Sequence, residues 1–109
     1  MSPDRKHQRR EERKYKRIFV RYGHGKTEHK AVAQQLSPNG FFLLTNDVVY
    51  TNGSPIMVEI KGSAETWLVS GIVRHAIKVH PSMANFTKPG MGVELTHVPD
   101  ACRAYLASL

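Results

Sequence analysis

The stretch HKAVAQQLSPNGFFLLTN, residues 29 to 46, predicts two β-strands joined by a tight connection. HKAVAQQL and FFLLTN carry the apolar residues of the two strands. QLSPNG, residues 35 to 40, brings together serine, proline, asparagine and glycine, the residue types that favour turns. Taken alone, such a string is more often a plain turn than part of a binding site, and the remainder of the chain must decide between the two.

Four further strands are predicted, one before this hairpin and three after it. Ile18, Val20 and Tyr22 alternate with polar or outward positions before a glycine-rich turn. PIMVEI follows an Asn-Gly pair, which is a strong turn signal. The other two predicted strands are ETWLVSGIVRHAIKV, residues 65 to 79 with a bulge at Gly71, and MGVELTHV, residues 91 to 98.

The last residues predict a helix over 99–108. Pro99 suits a first helical turn, and the spacing of the apolar residues that follow predicts one buried face. Those residues are Ala101, Tyr105, Leu106 and Leu109. The predicted fold class is therefore all-β with a terminal helix: a six-stranded, Greek-key-like antiparallel barrel, with the helix closing one open end.

The length and composition of the chain limit the classes of protein to which it can belong. A chain of 109 residues fits one domain, which we expect as a basic arm at 1–14 and a barrel with its helix at 15–109. No apolar run is long enough to cross a membrane, and the charged N-terminus does not resemble a secretory signal. The single cysteine, Cys102, favours a reducing, cytoplasmic setting.

Catalytic and metal-binding patterns are missing from the sequence. The six histidines are scattered, and there is no recognisable Ser/His/Asp set or phosphate-binding loop. Cys102 has the position of a small buried hydrophobic residue rather than of a nucleophile. We therefore expect neither an enzyme nor a bound metal or cofactor.

Positive charge is concentrated at the N-terminus. The first 30 positions hold 11 of the 16 basic residues, whereas positions 31 to 109 hold five basic and five acidic residues. This distribution favours an anionic partner near a flexible arm, although a charge run is as often only a solvated tail.

Two kinds of side chain in these segments suit a phosphorylated ligand. Arg13 and Arg17 are four residues apart where the arm enters the first strand, and a guanidinium group can bind phosphate, or the Hoogsteen edge of guanine, through two hydrogen bonds. In QLSPNG, Ser37 offers a hydroxyl donor, Gly40 permits a close approach to the backbone, and Gln35 offers an amide for a base edge.

An RxxxR pair followed about 20 residues later by a polar-x-Ser-x-x-Gly turn resembles the two-part motif of the PilZ family, RxxxR and Asp/Asn-x-Ser-x-x-Gly. SGIVRHA and KPGMGVELTHV resemble the fifth strand and the glycine-bearing last strand of that family. The resemblance covers roughly residues 9 to 109 and implies a barrel that binds cyclic di-GMP. Such domains relay this bacterial second messenger to motility, pilus, secretion or polysaccharide machinery, so it also implies a protein partner.

The resemblance assigns a role to individual residues. Arg13 and Arg17 would contact phosphates and guanine edges, Ser37 would hydrogen-bond the ligand, and Gly40 would keep the turn close. The ligand would draw the arm over the barrel. The resemblance also implies a further contact from Arg9 or Arg10, as extra arm arginines often make in the family, and from His75, which falls near a position where many relatives have an aromatic residue that stacks on a base.

One position departs from the family motif. Gln35 stands where the family has Asp or Asn, which places its amide one methylene further out and adds side-chain entropy to be lost on binding. A second interpretation is therefore a degenerate PilZ adaptor that binds proteins but not the nucleotide. A nucleic-acid-binding barrel is the less favoured alternative, because Phe41 and Phe42 stand next to leucines and resemble core residues.

Overall fold

The computed structural model describes residues 16–83 and 88–109. Its strands are β1 (Ile18–Gly23), β2 (His29–Ser37), β3 (Gly40–Leu44), β4 (Pro55–Lys61), β5 (Thr66–Ile77) and β6 (Gly90–His97). A short 3-10 helix spans Pro81–Met83, and helix α1 spans Asp100–Ser108. Arg9, Arg10 and Arg13, with the predicted arm at 1–14, lie outside the described residues.

The six strands form one closed antiparallel barrel in the order β1-β2-β3-β6-β5-β4, with β1 paired to β4. This confirms the predicted fold class. In the part of the chain that the structure describes, closure pairs every strand on both sides and leaves the sheet no free edge that could recruit another chain.

Alternating residues fill the barrel interior. On β1 the inward side chains are Val20 and Tyr22, and on β4 they are Ile56, Val58 and Ile60. Each of these is at most 4% exposed, and the residues between them point outward. The period of two that predicted the strands is therefore the period of core burial.

Helix α1 contributes two fully buried side chains to this core, Cys102 and Leu106. The expectation for Tyr105 and Leu109 holds in part, since both pack partly buried against the core, but Ala101 is exposed. Leu106 is buried as predicted, and Cys102, four residues before it on the same helix face, is buried where Ala101 was expected to be. Burial raises the pKa of the Cys102 thiol, which favours its neutral form.

Side-chain hydrogen bonds end β3, and register shifts interrupt the pairing of β5 with β6. β3 stops at Leu44, before the predicted TN, because Thr45 Oγ1 donates to the Lys30 carbonyl at 2.8 Å and accepts the Asp47 N–H at 2.9 Å. The register of β5 with β6 shifts between Ser70 and Gly71, where β6 rather than β5 carries the extra residue, Thr96. The extra residue on β5 is Arg74, so the bulge predicted at Gly71 lies three residues further along the strand.

Tyr22 closes the end of the barrel near this β3–β4 connection. Its hydroxyl donates to the Val48 carbonyl and lies 3.1 Å from Thr45 Oγ1. Burial raises the pKa of Tyr22, so the phenol stays neutral and keeps its donor hydrogen.

The burial of one face of α1 predicts that a buried leucine of the helix contributes more to stability than an exposed leucine of the barrel. Leu106→Ala removes a side chain that is 1% exposed and should lower the free energy of unfolding by about 2–4 kcal/mol through lost burial and a residual cavity. Leu68→Ala, at a leucine 51% exposed on β5, should change it by less than about 0.5 kcal/mol. Urea denaturation of both variants measures the contrast, and equal losses would show that α1 does not close the core.

Candidate functional site

The QLSPNG segment forms a braced turn between β2 and β3. Ser37 and Gly40 are paired, and Pro38 and Asn39 connect them. Ser37 Oγ donates to the Gly40 carbonyl at 3.1 Å and accepts the Asn39 N–H at 3.3 Å, and the residue is only 3% exposed. The hydroxyl predicted to meet a ligand thus holds the turn itself.

Helix α1 supports the turn from outside. Arg103 Nη1 donates to the Pro38 carbonyl at 3.1 Å. The turn is therefore fixed by its own hydroxyl and by a side chain 65 residues further along the chain, so its shape does not depend on a ligand.

Gln35 occupies a bulge immediately before the turn. The β2–β3 register shifts between Gln34 and Ser37, and Gln35 has φ +55°, in the left-handed region. The bulge exposes Gln35 while burying Leu36 completely. Asn, Asp and Gly tolerate this backbone conformation better than Gln does, so the family's Asp or Asn would suit the position for backbone reasons as well.

Gly40 lies against the backbone of β6. A Cβ built on it would be 2.2 Å from the Val93 carbonyl oxygen, far inside any real contact. The close approach predicted at this glycine is thus used by a neighbouring strand, and a side chain here would separate β3 from β6.

These residues line one cleft of about 290 Å³ on the outer surface, which we name the turn cleft. It is formed by β2, β3, β5, β6 and the turn. Its lining residues are Gln35, Ser37, Asn39, Gly40, Phe41, Phe42, Arg74, Gly92, Val93 and Glu94. The structure therefore brings three of the predicted site residues, Gln35, Ser37 and Gly40, to one place.

Two charged residues of the cleft were not predicted as site residues. Arg74 of β5 donates through Nε to Glu94 Oε1 of β6 at 2.6 Å, and both side chains are more than half exposed. Arg74 sits where the β5–β6 register shifts between Val73 and His75. Only the long-range pairing of β5 with β6 joins this arginine to the turn, so local sequence carried no signal for it.

Phe42 provides an aromatic surface in the cleft. Phe41 and Leu43 point into the core, as the sequence suggested, whereas Phe42 is half-buried and points outward. A Cβ built on Gly90 would lie 2.5 Å from Phe42 Cε2, so the ring covers that glycine of β6. The alternation within FFLL was the available signal for this outward position.

His75 lies beside the turn cleft without lining it. Its Cα partner on β6 is Gly92, and a Cβ built on that glycine would be 3.4 Å from His75 Cβ. The side chain is exposed.

Arg17 lies in a different hollow, of about 490 Å³, which we name the basic cavity. The lining residues are Arg17, Phe19, Lys30, Ala31, Val32, Leu44, Thr45, Asn46, Asp47 and Lys88. It shares no lining residue with the turn cleft, so the structure does not bring Arg17 and Ser37 into one pocket. Leu44 and Phe42 are two residues apart on β3, about 7 Å, which makes the two hollows neighbours on the same surface.

Within 16–83 and 88–109, no group of three or more His, Cys, Asp or Glu side chains is placed to hold a metal ion. In the same part of the chain, none of the helical segments has the length and apolar character needed to span a bilayer.

A solved structure shares this architecture. The structure of the Bacillus subtilis inhibitor of motility, MotI/DgrA, aligns with a TM-score of 0.69 at 15% sequence identity, covering 91% of this chain and 48% of that one. The likeness is one of fold. This chain spans about half the length of MotI/DgrA. No protein-family model and no curated protein matches the sequence.

The bulge at Gln35 predicts a position-specific effect on stability. Gln35→Val should lower the free energy of unfolding by about 1–2 kcal/mol, because a β-branched residue is strained at positive φ. Gln34→Val, one residue earlier in regular strand pairing, should be neutral or slightly stabilising. Thermal unfolding of both variants compares them, and equal effects would argue against a left-handed residue at 35.

Proposed function

We propose that this chain is a PilZ-type adaptor that binds cyclic di-GMP and passes the signal to a protein partner. The observation that carries the proposal is the turn cleft, in which Gln35, Ser37 and Gly40 of the PilZ-like motif meet on the outside of a closed six-stranded barrel. The fold shared with an inhibitor of motility supports a partner in a motility apparatus, with pilus, secretion or polysaccharide machinery as other candidates.

The surface offers complementary groups for a guanine dinucleotide. Arg74 in the turn cleft and Arg17 in the basic cavity are guanidinium groups suited to phosphate or guanine edges. Phe42 offers an apolar face against which a base can pack. Hollows of about 290 and 490 Å³ on adjacent parts of one surface are within the size range of small-molecule sites.

Residues of the N-terminal arm complete this proposed site. Arg13 is the other half of the RxxxR pair, and Arg9 and Arg10 add positive charge beside it. Ligand phosphates would neutralise these like charges and favour closure of the arm over Arg17 and the barrel surface. The cost of ordering the arm would subtract from the affinity.

A specific set of contacts favours a second candidate, an adaptor that does not bind the nucleotide. The Ser37 hydroxyl is engaged within the turn, and Arg74 is neutralised by Glu94. The Glu94 carboxylate would also repel a phosphate in the cleft. Together with Gln35 in place of Asp or Asn, these features weaken the site for an anion without disturbing the barrel.

Isothermal titration with cyclic di-GMP tests the proposal. Arg17→Ala should weaken binding by roughly tenfold or more, since a charge-assisted pair is lost, and Arg13→Ala should do the same. Lys78→Ala removes an exposed cation of the 78–80 segment that lines neither hollow, and it should change the affinity by less than about twofold. Equal affinities in all four proteins would remove both arginines from the site.

Restoring the motif separates the two candidates. Gln35→Asp supplies two acceptor oxygens for guanine N–H donors and a residue type that tolerates positive φ. Under the first candidate it should tighten cyclic di-GMP binding by roughly tenfold, about 1.4 kcal/mol. If neither wild type nor Gln35→Asp produces binding heat at saturating nucleotide, the ligand-free adaptor is the correct function.

A further inference from the structure

Phe19 on β1 is an apolar side chain with almost no cover from the described residues. It is 86% exposed, whereas Leu68, the exposed leucine on β5, is 51% exposed. Its partner on β2 is Val32, and its neighbour Val20 is buried in the core. The ring therefore stands on the outer barrel wall, away from the turn cleft.

The ring borders two hollows. One is the basic cavity, and the other, of about 220 Å³, we name the β1 hollow. The β1 hollow is lined by Phe19, Val20, Arg21, Lys30, Ala31, Glu59 and Lys61. Phe19 and Lys30 line both hollows, so an extended segment crossing the ring would meet both.

The surroundings of the ring are strongly positive. Five basic residues line the two hollows: Arg17, Arg21, Lys30, Lys61 and Lys88. The two carboxylates there already have partners in this chain. Glu59 accepts the Thr27 hydroxyl at 2.7 Å, and Asp47 lies 3.1 Å from His29 Nδ1. Among the described residues, the unmatched charge on this surface is therefore positive.

We propose that Phe19 and its two flanking hollows form a docking site for an acidic segment of a partner protein, with an apolar side chain of that segment packing on the ring. An aromatic residue surrounded by charges that a partner can neutralise has the character of an interface anchor. The docking site shares the basic cavity, including Arg17, with the proposed nucleotide site, whereas the β1 hollow lies outside that site, so a nucleotide in the basic cavity would compete with the acidic segment.

The positive charge of the docking site distinguishes among the molecules that could occupy it. A second copy of this chain would bring a net charge of +7 against a positive surface. Residues 1–15 hold six basic and three acidic side chains, so they too have the wrong sign. Single-stranded nucleic acid has the right sign, but it is bound through successive stacked rings, and among the described residues Phe19 is the only aromatic one that lines either hollow. An acidic peptide with one apolar anchor matches both features.

Selection from a random dodecapeptide library, with the full-length protein as bait and no nucleotide present, tests the proposal. The selected peptides should be enriched in Asp and Glu around an aromatic or aliphatic residue. Their affinity should fall roughly tenfold or more for Phe19→Ser and for Lys61→Glu, and fall with added salt. Leu68→Ser, at an exposed leucine that lines neither hollow, should leave the affinity unchanged.

Several results would overturn the docking site. Peptides without acidic enrichment, or peptides that bind Phe19→Ser as tightly as wild type, would do so. So would a selection that yields no binders, or binding of single-stranded RNA that depends on Phe19 when the peptides do not bind. Nuclear Overhauser contacts between the Phe19 ring and residues 1–15 in the free protein would make that segment the occupant. Matching melting temperatures for wild type and Phe19→Ser establish that a loss of binding is local, as expected for an exposed position.

Discussion

The close approach of β3 to β6 at Gly40 is the constraint on which the barrel and the turn cleft both depend. A Cβ at this position would lie 2.2 Å from the Val93 carbonyl oxygen, and on the other side of β6 a Cβ at Gly71 would lie 2.7 Å from the Glu94 carbonyl oxygen. Glycines on both neighbouring strands thus allow β6 to fit between β3 and β5. Since Val93 and Glu94 also line the turn cleft, the packing that closes the barrel shapes the candidate site.

This arrangement explains why QLSPNG is both a turn and part of a cleft. The Ser37 hydroxyl and Arg103 hold the turn, and the bulge at Gln35 directs that side chain outward while Leu36 enters the core. A rigid turn presents its outward groups without a further ordering cost, so a ligand meets a preformed surface. In the proposed nucleotide complex, the affinity would then depend on charges, notably on whether Arg74 stays paired with Glu94 or pairs with a ligand phosphate.

Sequence alone was sufficient for features with a local cause. The alternation in β1 and β4 and the turn at QLSPNG follow from residue type and spacing, and six short antiparallel strands favoured a closed barrel because closure removes exposed edges. On the helix, Leu106 was correctly predicted to be buried, whereas Ala101 was not, because Ala101 and Cys102 are both small and apolar enough to fit either side.

Features with a long-range cause could not be read from the sequence. Arg74 and Glu94 meet only because β5 pairs with β6 in a register set by two bulges. Arg17 and Ser37 look like one site in the motif, yet the strand geometry places them in neighbouring hollows. In the sequence, Phe19 has the pattern of an ordinary strand residue, and its 86% exposure depends on what the rest of the fold leaves uncovered.

We propose that the two hollows carrying Arg17 and Ser37 bind one nucleotide together. Amide chemical-shift mapping during a cyclic di-GMP titration tests this claim most directly. The account predicts that the amides of Gly40 and Gly92 in the turn cleft and those around Arg17 in the basic cavity shift together along one binding curve. Shifts confined to one hollow, or no shifts at saturating nucleotide, would contradict it.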